Sequence, residues 1–284
     1  MKVQGSVALV TGASSGIGAA TAERLAKAGY KVYGTSRRTS KGAPRTFQML
    51  QLDVTSDESV EAAIRDVMGL EGCIDVLVNN AGFGIAPGAA EESSIRQAQA
   101  IFDTNVFGIM RMTRAVLPHM RARRSGRIIN ISSVLGFLPM PYGALYAATK
   151  HAVEGYSESV DHEVRTRGVR CLLIEPGYTK TEFDTNLIAP DAQLAEYREI
   201  SLVVEQVIKE NLTAADDPGV VAEAVLKAAT DARPKLRYLA TAGAGRLRLA
   251  RRFAPASVVD SAVRKNLRID SVPATLAPSP ALGK

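Results

Sequence analysis

Val7-Ala8-Leu9-Val10-Thr11-Gly12-Ala13-Ser14-Ser15-Gly16-Ile17-Gly18 is the stretch on which the fold turns. Four apolar residues of strand character run into a glycine-bearing turn, and a helical pattern over 17–28 follows at once. Each glycine has a separate task. Gly12 permits the tight turn, Gly16 lets backbone amides approach a pyrophosphate, and Gly18 lets the helix pack closely on the strand. The amino end of that helix favours an anion. Ser14, Ser15 and Ile17 complete the candidate phosphate turn. Its spacing, GxxxGxG, departs from the more familiar GxGxxG.

Outward from this turn, short apolar runs alternate with helical stretches. The alternation predicts seven strands, over 7–10, 31–35, 47–52, 74–79, 127–132, 169–175 and 237–241, and helices over 17–28, 57–68, 94–121, 147–167 and 218–230. Several strands are continuous Val/Ile/Leu runs, as expected where both faces are covered. The fold class is therefore α/β, a doubly wound parallel sheet flanked by helices. Residues 179–215 interrupt the rhythm as a helix-rich insertion of the kind that closes over ligands at the carboxyl ends of strands. No repeat or linker divides the chain: 1–245 reads as one catalytic domain, 246–284 as a helical extension and tail, loose from Ser271 onward.

Composition narrows the function classes. At 284 residues, 46% hydrophobic and 23% charged, the chain can bury a large core and shows no sign of disorder. Its two cysteines, Cys73 and Cys171, lie beside apolar runs and form no CxxC or Cys/His set, so no metal is expected and a reducing compartment is. No signal-like or transmembrane stretch occurs, which predicts a cytoplasmic, soluble chain. The net charge of +6 gathers at Arg121, Arg123, Arg124 and Arg127 and at Arg246, Arg248, Arg251 and Arg252. Neither cluster interleaves aromatics, so both read as solvated faces and no nucleic-acid partner is expected. The basic stretch 246–253 reads as a solvated helix in preference to a membrane or subunit contact.

Two further patterns carry chemistry. The second strand ends in Ser36-Arg37-Arg38 where an acidic residue would bind the adenosine ribose of NAD. A guanidinium there suits a 2′-phosphate, so Arg37 points to NADP(H) in preference to NAD(H). Asp53 and Val54, after the third strand, are candidates for the adenine edge. Tyr146 and Lys150 lie four positions apart on one helix face, where an ammonium favours the phenolate form. Gly126 to Ser133 is a buried strand ending in two hydroxyls, and either Ser132 or Ser133 can meet Tyr146 at one end of the sheet.

With Thr11 to Gly18, Asn79-Asn80-Ala81-Gly82, Asn105, Ser133, Tyr146 with Lys150, and Pro176-Gly177 in this order, the sequence resembles the short-chain dehydrogenase/reductase family. The resemblance covers about residues 5–185 and implies a single-domain Rossmann fold, an NADP(H)-dependent oxidoreductase acting on a carbonyl or secondary alcohol, and a homodimer or homotetramer. It implies Tyr146 as general acid/base, Lys150 as ligand of the nicotinamide ribose, and Ser133 as holder of the substrate oxygen. It further implies that Asn105 fixes a helix bend and a water leading from Lys150, and that Asn79, Asn80, Ala81 and Gly82 line the adenosine side. Pro176, Gly177, Thr179 and Thr181 would border the nicotinamide, with Thr181 on its carboxamide. Residues 33–37 and 176–181 look most like those of NADP-using steroid and retinoid-type members. Phe183, Leu187, Ile188, Leu194 and Tyr197 would line an apolar pocket or belong to the core. Two other readings stand beside this one: an NADP-binding sensor or scaffold without turnover, and an epimerase or dehydratase on the same fold.

Overall fold

In the computed structural model, which describes residues 3–38, 45–183, 186–241 and 243–271, the apolar runs become seven strands. These are β1 (Val7–Val10), β2 (Lys31–Ser36), β3 (Gln48–Gln51), β4 (Val76–Asn79), β5 (Gly126–Ile131), β6 (Val169–Glu175) and β7 (Arg237–Leu239). They form one sheet in the order β3-β2-β1-β4-β5-β6-β7, every pair parallel. β1 and β4 are buried at every residue, because helices cover both faces of the sheet.

Alternation along β1 sorts the core. Ala8 and Val10 join Leu25 of helix α1 (Gly16–Lys27) and Val221 and Val225 of α7 (Pro218–Thr230). Val7 and Leu9 face the opposite way. They join Ile64 of α2 (Asp57–Glu71), Met112 and Val116 of α4 (Gly108–Ala122), and Val160 of α5 (Ala144–Val164). Chain growth reverses direction between β1 and β4, and this reversal opens a crevice at the carboxyl ends of the strands where ligands of such sheets bind.

Three elements differ from expectation. The helix expected over 94–121 is α3 (Ile95–Phe102) and α4 joined by a π turn, Asp103–Phe107. α5 begins at Ala144, which puts Tyr146 in its first turn, where a side chain projects toward the strand ends. Within 179–215 the main helix is α6 (Arg198–Thr213), and the preceding segment is held irregularly by the Ile85–Ile188 bridge. After β7 come α8 (Ala244–Phe253) and α9 (Ala256–Asn266); residues 272–284, including most of the expected loose tail, lie outside the described residues. No helix among the described residues is long and apolar enough to cross a membrane, and no cluster of His, Cys, Asp or Glu among them is placed to hold a metal.

Candidate active site

The glycine turn is built by close backbone contact. Gly12 and Gly16 adopt φ values of +65° and +56°, in the left-handed region where a side chain is costly. A Cβ on Gly18 would fall 2.2 Å from the Gly12 carbonyl oxygen, so only hydrogen fits between helix and turn. Asn80 braces the same turn from β4: its side-chain amide donates to the Thr11 and Gly12 carbonyls at 2.9 and 3.0 Å. Thr11 Oγ1 accepts from the Asn80 and Ala81 amides. α1 starts at Ser15 without a side-chain cap and without acidic residues in its first turn. Those free amides and the helix dipole fit a pyrophosphate. Ser14 is exposed and Ser15 and Ile17 half-buried along the rim.

At the carboxyl end of β2, where the sequence places an adenosine, Arg37 and Arg38 are exposed to solvent. Burial pushes the Asp53 carboxyl up, but hydrogen bonds from Thr55 and the fields of Arg37 and Arg111 outweigh this and hold it below the usual range. Asp53 is therefore an anion within electrostatic reach of Arg37. Val54 is buried against Gly108, with its Cγ2 2.8 Å from where a Cβ there would sit. Arg45, which the sequence reading passed over, lies across the glycine turn. Its guanidinium donates to the Ala13 and Ser14 carbonyls at 2.9 and 2.8 Å and stacks 5.3 Å over the Phe47 ring. A basic residue in a loop carries no motif; the contact to the turn is made only in three dimensions.

The catalytic candidates meet across β5 and α5. Lys150 is buried, donates from Nζ to the Ile131 carbonyl at 2.8 Å, and stands 5.5 Å from the centre of the Tyr146 ring. Burial pushes the Lys150 ammonium down to about 8, with the charge of Glu154 opposing. Ser133 follows β5, half-buried, and its Oγ accepts from the Leu135 amide at 3.1 Å. Ser132 is buried instead and turns toward Gly136 and Glu154. Asn105 occupies the centre of the π turn. Its Oδ1 accepts from the Phe83 amide at 3.0 Å, and its Nδ2 donates to the Phe83 carbonyl at 2.9 Å and to Thr149 Oγ1 at 3.3 Å. Thr149 Oγ1 in turn donates to the Tyr146 carbonyl at 2.7 Å, so the helix irregularity is tied to the turn that carries the phenol. Gly82 lies directly against Asn105, a Cβ there coming 3.0 Å from Oδ1.

Asn79 donates to Asn130 at 2.8 Å, a buried bond between β4 and β5 beneath the crevice. The loop after β6 closes the site. The Pro176 carbonyl accepts from the Val134 amide, the Gly177 amide donates to Thr241, and the Thr179 hydroxyl donates to the Gly177 carbonyl. Thr181 sits over the glycine turn, its Cβ 3.2 Å from where a Gly16 Cβ would be. Phe183 lies 5.6 Å from the Tyr146 ring, and Leu187 packs on Gly84. Ile188 and Leu194 are substantially exposed, and Tyr197 packs edge-on against Tyr142 and donates to Glu91. The apolar residues of the insertion thus separate: Phe183 stands at the phenol and Leu187 packs beside it over Gly84, while Ile188 and Leu194 face solvent and Tyr197 packs on Tyr142. The two arginine clusters, expected to be solvated, are partly turned inward: Arg123 pairs with Asp75, Arg248 with Glu175, and Arg251 donates to the Phe137 carbonyl.

Comparison with known proteins bears on this arrangement. A sequence model of the family described as short chain dehydrogenase matches residues 6–192. The chain is 44% identical over 184 residues to a 3-ketodihydrosphingosine reductase of Bacteroides thetaiotaomicron, covering 65% of this chain and 68% of that protein. It is 36% identical over 253 residues to retinol dehydrogenase 8 of Bos taurus, covering 81% and 79%. A short-chain dehydrogenase structure from Streptomyces avermitilis superposes with a TM-score of 0.79 at 34% identity, covering 95% of this chain and 99% of that one. One from Burkholderia phymatum in complex with NAD (27% identity, TM-score 0.76, covering 89% and 95%) and one from Burkholderia cenocepacia in complex with NADP (26%, 0.74, 93% and 99%) are similar in fold.

Proposed function

Because this chain belongs to the short chain dehydrogenase family, we propose that it interconverts a carbonyl and a secondary alcohol with NADP(H), through Tyr146, Lys150 and Ser133. Hydride-transfer oxidoreductase activity with a nicotinamide cofactor is what family membership gives; the residues, the phosphate preference and the substrate are the proposal. A single observation carries it: the buried Lys150 ammonium stands beside the Tyr146 ring at the strand ends that also bear the glycine turn.

When bound, the nicotinamide supplies or accepts the hydride. The chain handles the proton. An ordinary phenol near pKa ~10 gives and takes protons poorly at neutral pH, and a close ammonium favours its anion. Tyr146 then protonates the substrate oxygen in reduction and deprotonates the alcohol in oxidation. Ser133, open at the end of β5, donates a hydrogen bond to the same oxygen as charge develops there. Asn105 holds the π turn against the first turn of α5, keeping the phenol in place.

Arg37, Arg38 and Arg45 around the adenosine end support NADP(H): guanidinium groups favour a 2′-phosphate there. Arg37→Asp is expected to weaken NADPH binding roughly 10–100-fold, the value of one charge-assisted hydrogen bond, and to leave NADH affinity equal or improved. Fluorescence titration with both cofactors reads this directly, and an unchanged affinity ratio would place recognition elsewhere. An apolar substrate is supported by Phe183 against the phenol and by relatives named for a ketosphingosine and for retinol. A panel of carbonyls and alcohols assayed with NADPH and NADP⁺ tests the function as a whole; no turnover of any member would count against it.

A further inference from the structure

Tyr146, Lys150, Glu154 and Glu158 follow one another at four-residue steps along α5, so they lie in one row from the crevice toward the surface. Behind Lys150 this row enters a balanced set of charges. Arg237, at the start of β7, donates to Glu154 at 2.9 Å and to Glu158 at 2.7 Å, and its Nε lies 3.3 Å from Glu175. Glu175, the last residue of β6, is fully buried, and Arg248 from α8 pairs with it. Three carboxyl groups and two arginines thus form a frame next to the lysine, in which burial and the charge of Glu154 push the Glu175 carboxyl up while Arg248 and Arg237 oppose.

Glu154 Oε1, Glu175 Oε2 and Ser132 Oγ are buried without a hydrogen-bond partner. Two of them converge on Gly136, where an added Cβ would come 2.7 Å from Ser132 Oγ and 3.2 Å from Glu154 Oε1. Ser132 directly follows Ile131, whose carbonyl takes the Lys150 hydrogen bond. A buried carboxylate with a free oxygen is costly unless a cation lies within reach. Arg237 holds one oxygen of Glu154, and the charge of Glu154 also acts on the buried Lys150 one helical turn away.

We propose that Glu154 is a positioning residue for Lys150, its carboxylate anchored by Arg237 and flanked by the Glu175–Arg248 pair, so that α8 completes an ionic frame behind the catalytic ammonium. This rests on the role given to Lys150 above. Tyr146 and Glu154 on α5 stand nearest the amine in charge and contact; Arg237 on β7 is paired with Glu154 and Glu175, Arg248 on α8 with Glu175, and Asp103, in the π turn packed on α5, with Arg111. Burial pushes the lysine toward releasing its proton and the Glu154 charge opposes, so that release comes as pH rises through about 8. Without that charge, the ammonium discharges at lower pH.

The test is nuclear magnetic resonance titration of the full chain carrying lysine labelled with ¹³C at Cε, the Lys150 signal being identified by its loss in Lys150→Met. In Glu154→Gln the midpoint of Lys150 is expected to fall by about one pH unit or more, the usual effect of losing an adjacent opposite charge. Glu158→Gln loses a contact to the same arginine one turn further out and is expected to leave the midpoint in place. Glu154→Met, an apolar replacement of similar volume, should reproduce the fall and serves if the glutamine variant does not fold. A midpoint unmoved in either folded variant, an equal fall in Glu158→Gln, or failure of both Glu154 variants to fold would overturn the proposal. The titration needs neither substrate nor cofactor, so its outcome is independent of the carbonyl panel: a silent panel with a shifted midpoint would fault the function, not the frame.

Discussion

Tyr146→Phe is expected to lower turnover roughly 10²–10⁴-fold, the range assigned to a positioned general acid or base, while cofactor affinity stays unchanged. The change removes one oxygen and its proton and leaves the ring in place against Phe183 and Lys150. The glycine turn, the Asn80 brace and the buried Lys150 are untouched, so the elements assigned to the cofactor remain. Steady-state rates on the substrate found by the panel, beside a fluorescence titration with NADPH, separate the two effects. Near-normal turnover would show that another group moves the proton. Loss of cofactor binding in parallel would show that the phenol shapes the cofactor site instead.

Gly18→Ala is expected to act at the opposite end of the crevice. Its methyl would stand 2.2 Å from the Gly12 carbonyl oxygen and 2.5 Å from the Asn80 side-chain amide. Neither neighbour is a flexible side-chain end that can swing aside: the first is backbone in a left-handed turn, and the second holds two carbonyls of that turn. Forcing such a contact costs about 1–3 kcal/mol, which, taken up by the phosphate turn, weakens cofactor binding roughly 10–100-fold. Calorimetric titration with NADPH, together with the melting temperature, checks this. Full affinity in a folded variant would mean that the turn does not carry the pyrophosphate.

Much of the fold was legible because its physics is local. Val7–Val10 and Val76–Asn79 are apolar throughout since both faces of a parallel sheet are covered, and that signal needs no tertiary knowledge. The row from Tyr146 to Lys150 was legible for the same reason, four residues being one helical turn. What escaped depends on contacts between segments distant in sequence. The helical pattern from Ser94 to Arg121 shows no break at Asn105, and only the family resemblance implied a bend there; the π turn goes with hydrogen bonds to Phe83 and Thr149, both far away in sequence. Arg45 resembles any loop arginine until the chain brings it onto the carbonyls of Ala13 and Ser14. Arg248, on a helix that looks solvated, reaches inward to a glutamate at the end of a strand 73 positions earlier. Buried charge of this kind has no periodicity to announce it.

Hydride transfer at this crevice is tested most directly by following the atom itself. The enzyme, supplied with NADPH carrying deuterium at both positions of the reactive nicotinamide carbon and with a carbonyl from the panel, is expected to yield an alcohol with one deuterium on the former carbonyl carbon, seen by mass spectrometry. The same incubation with Tyr146→Phe is expected to yield little or none. An unlabelled alcohol from the wild-type enzyme, or equal labelled product from the variant, would contradict transfer beside Tyr146.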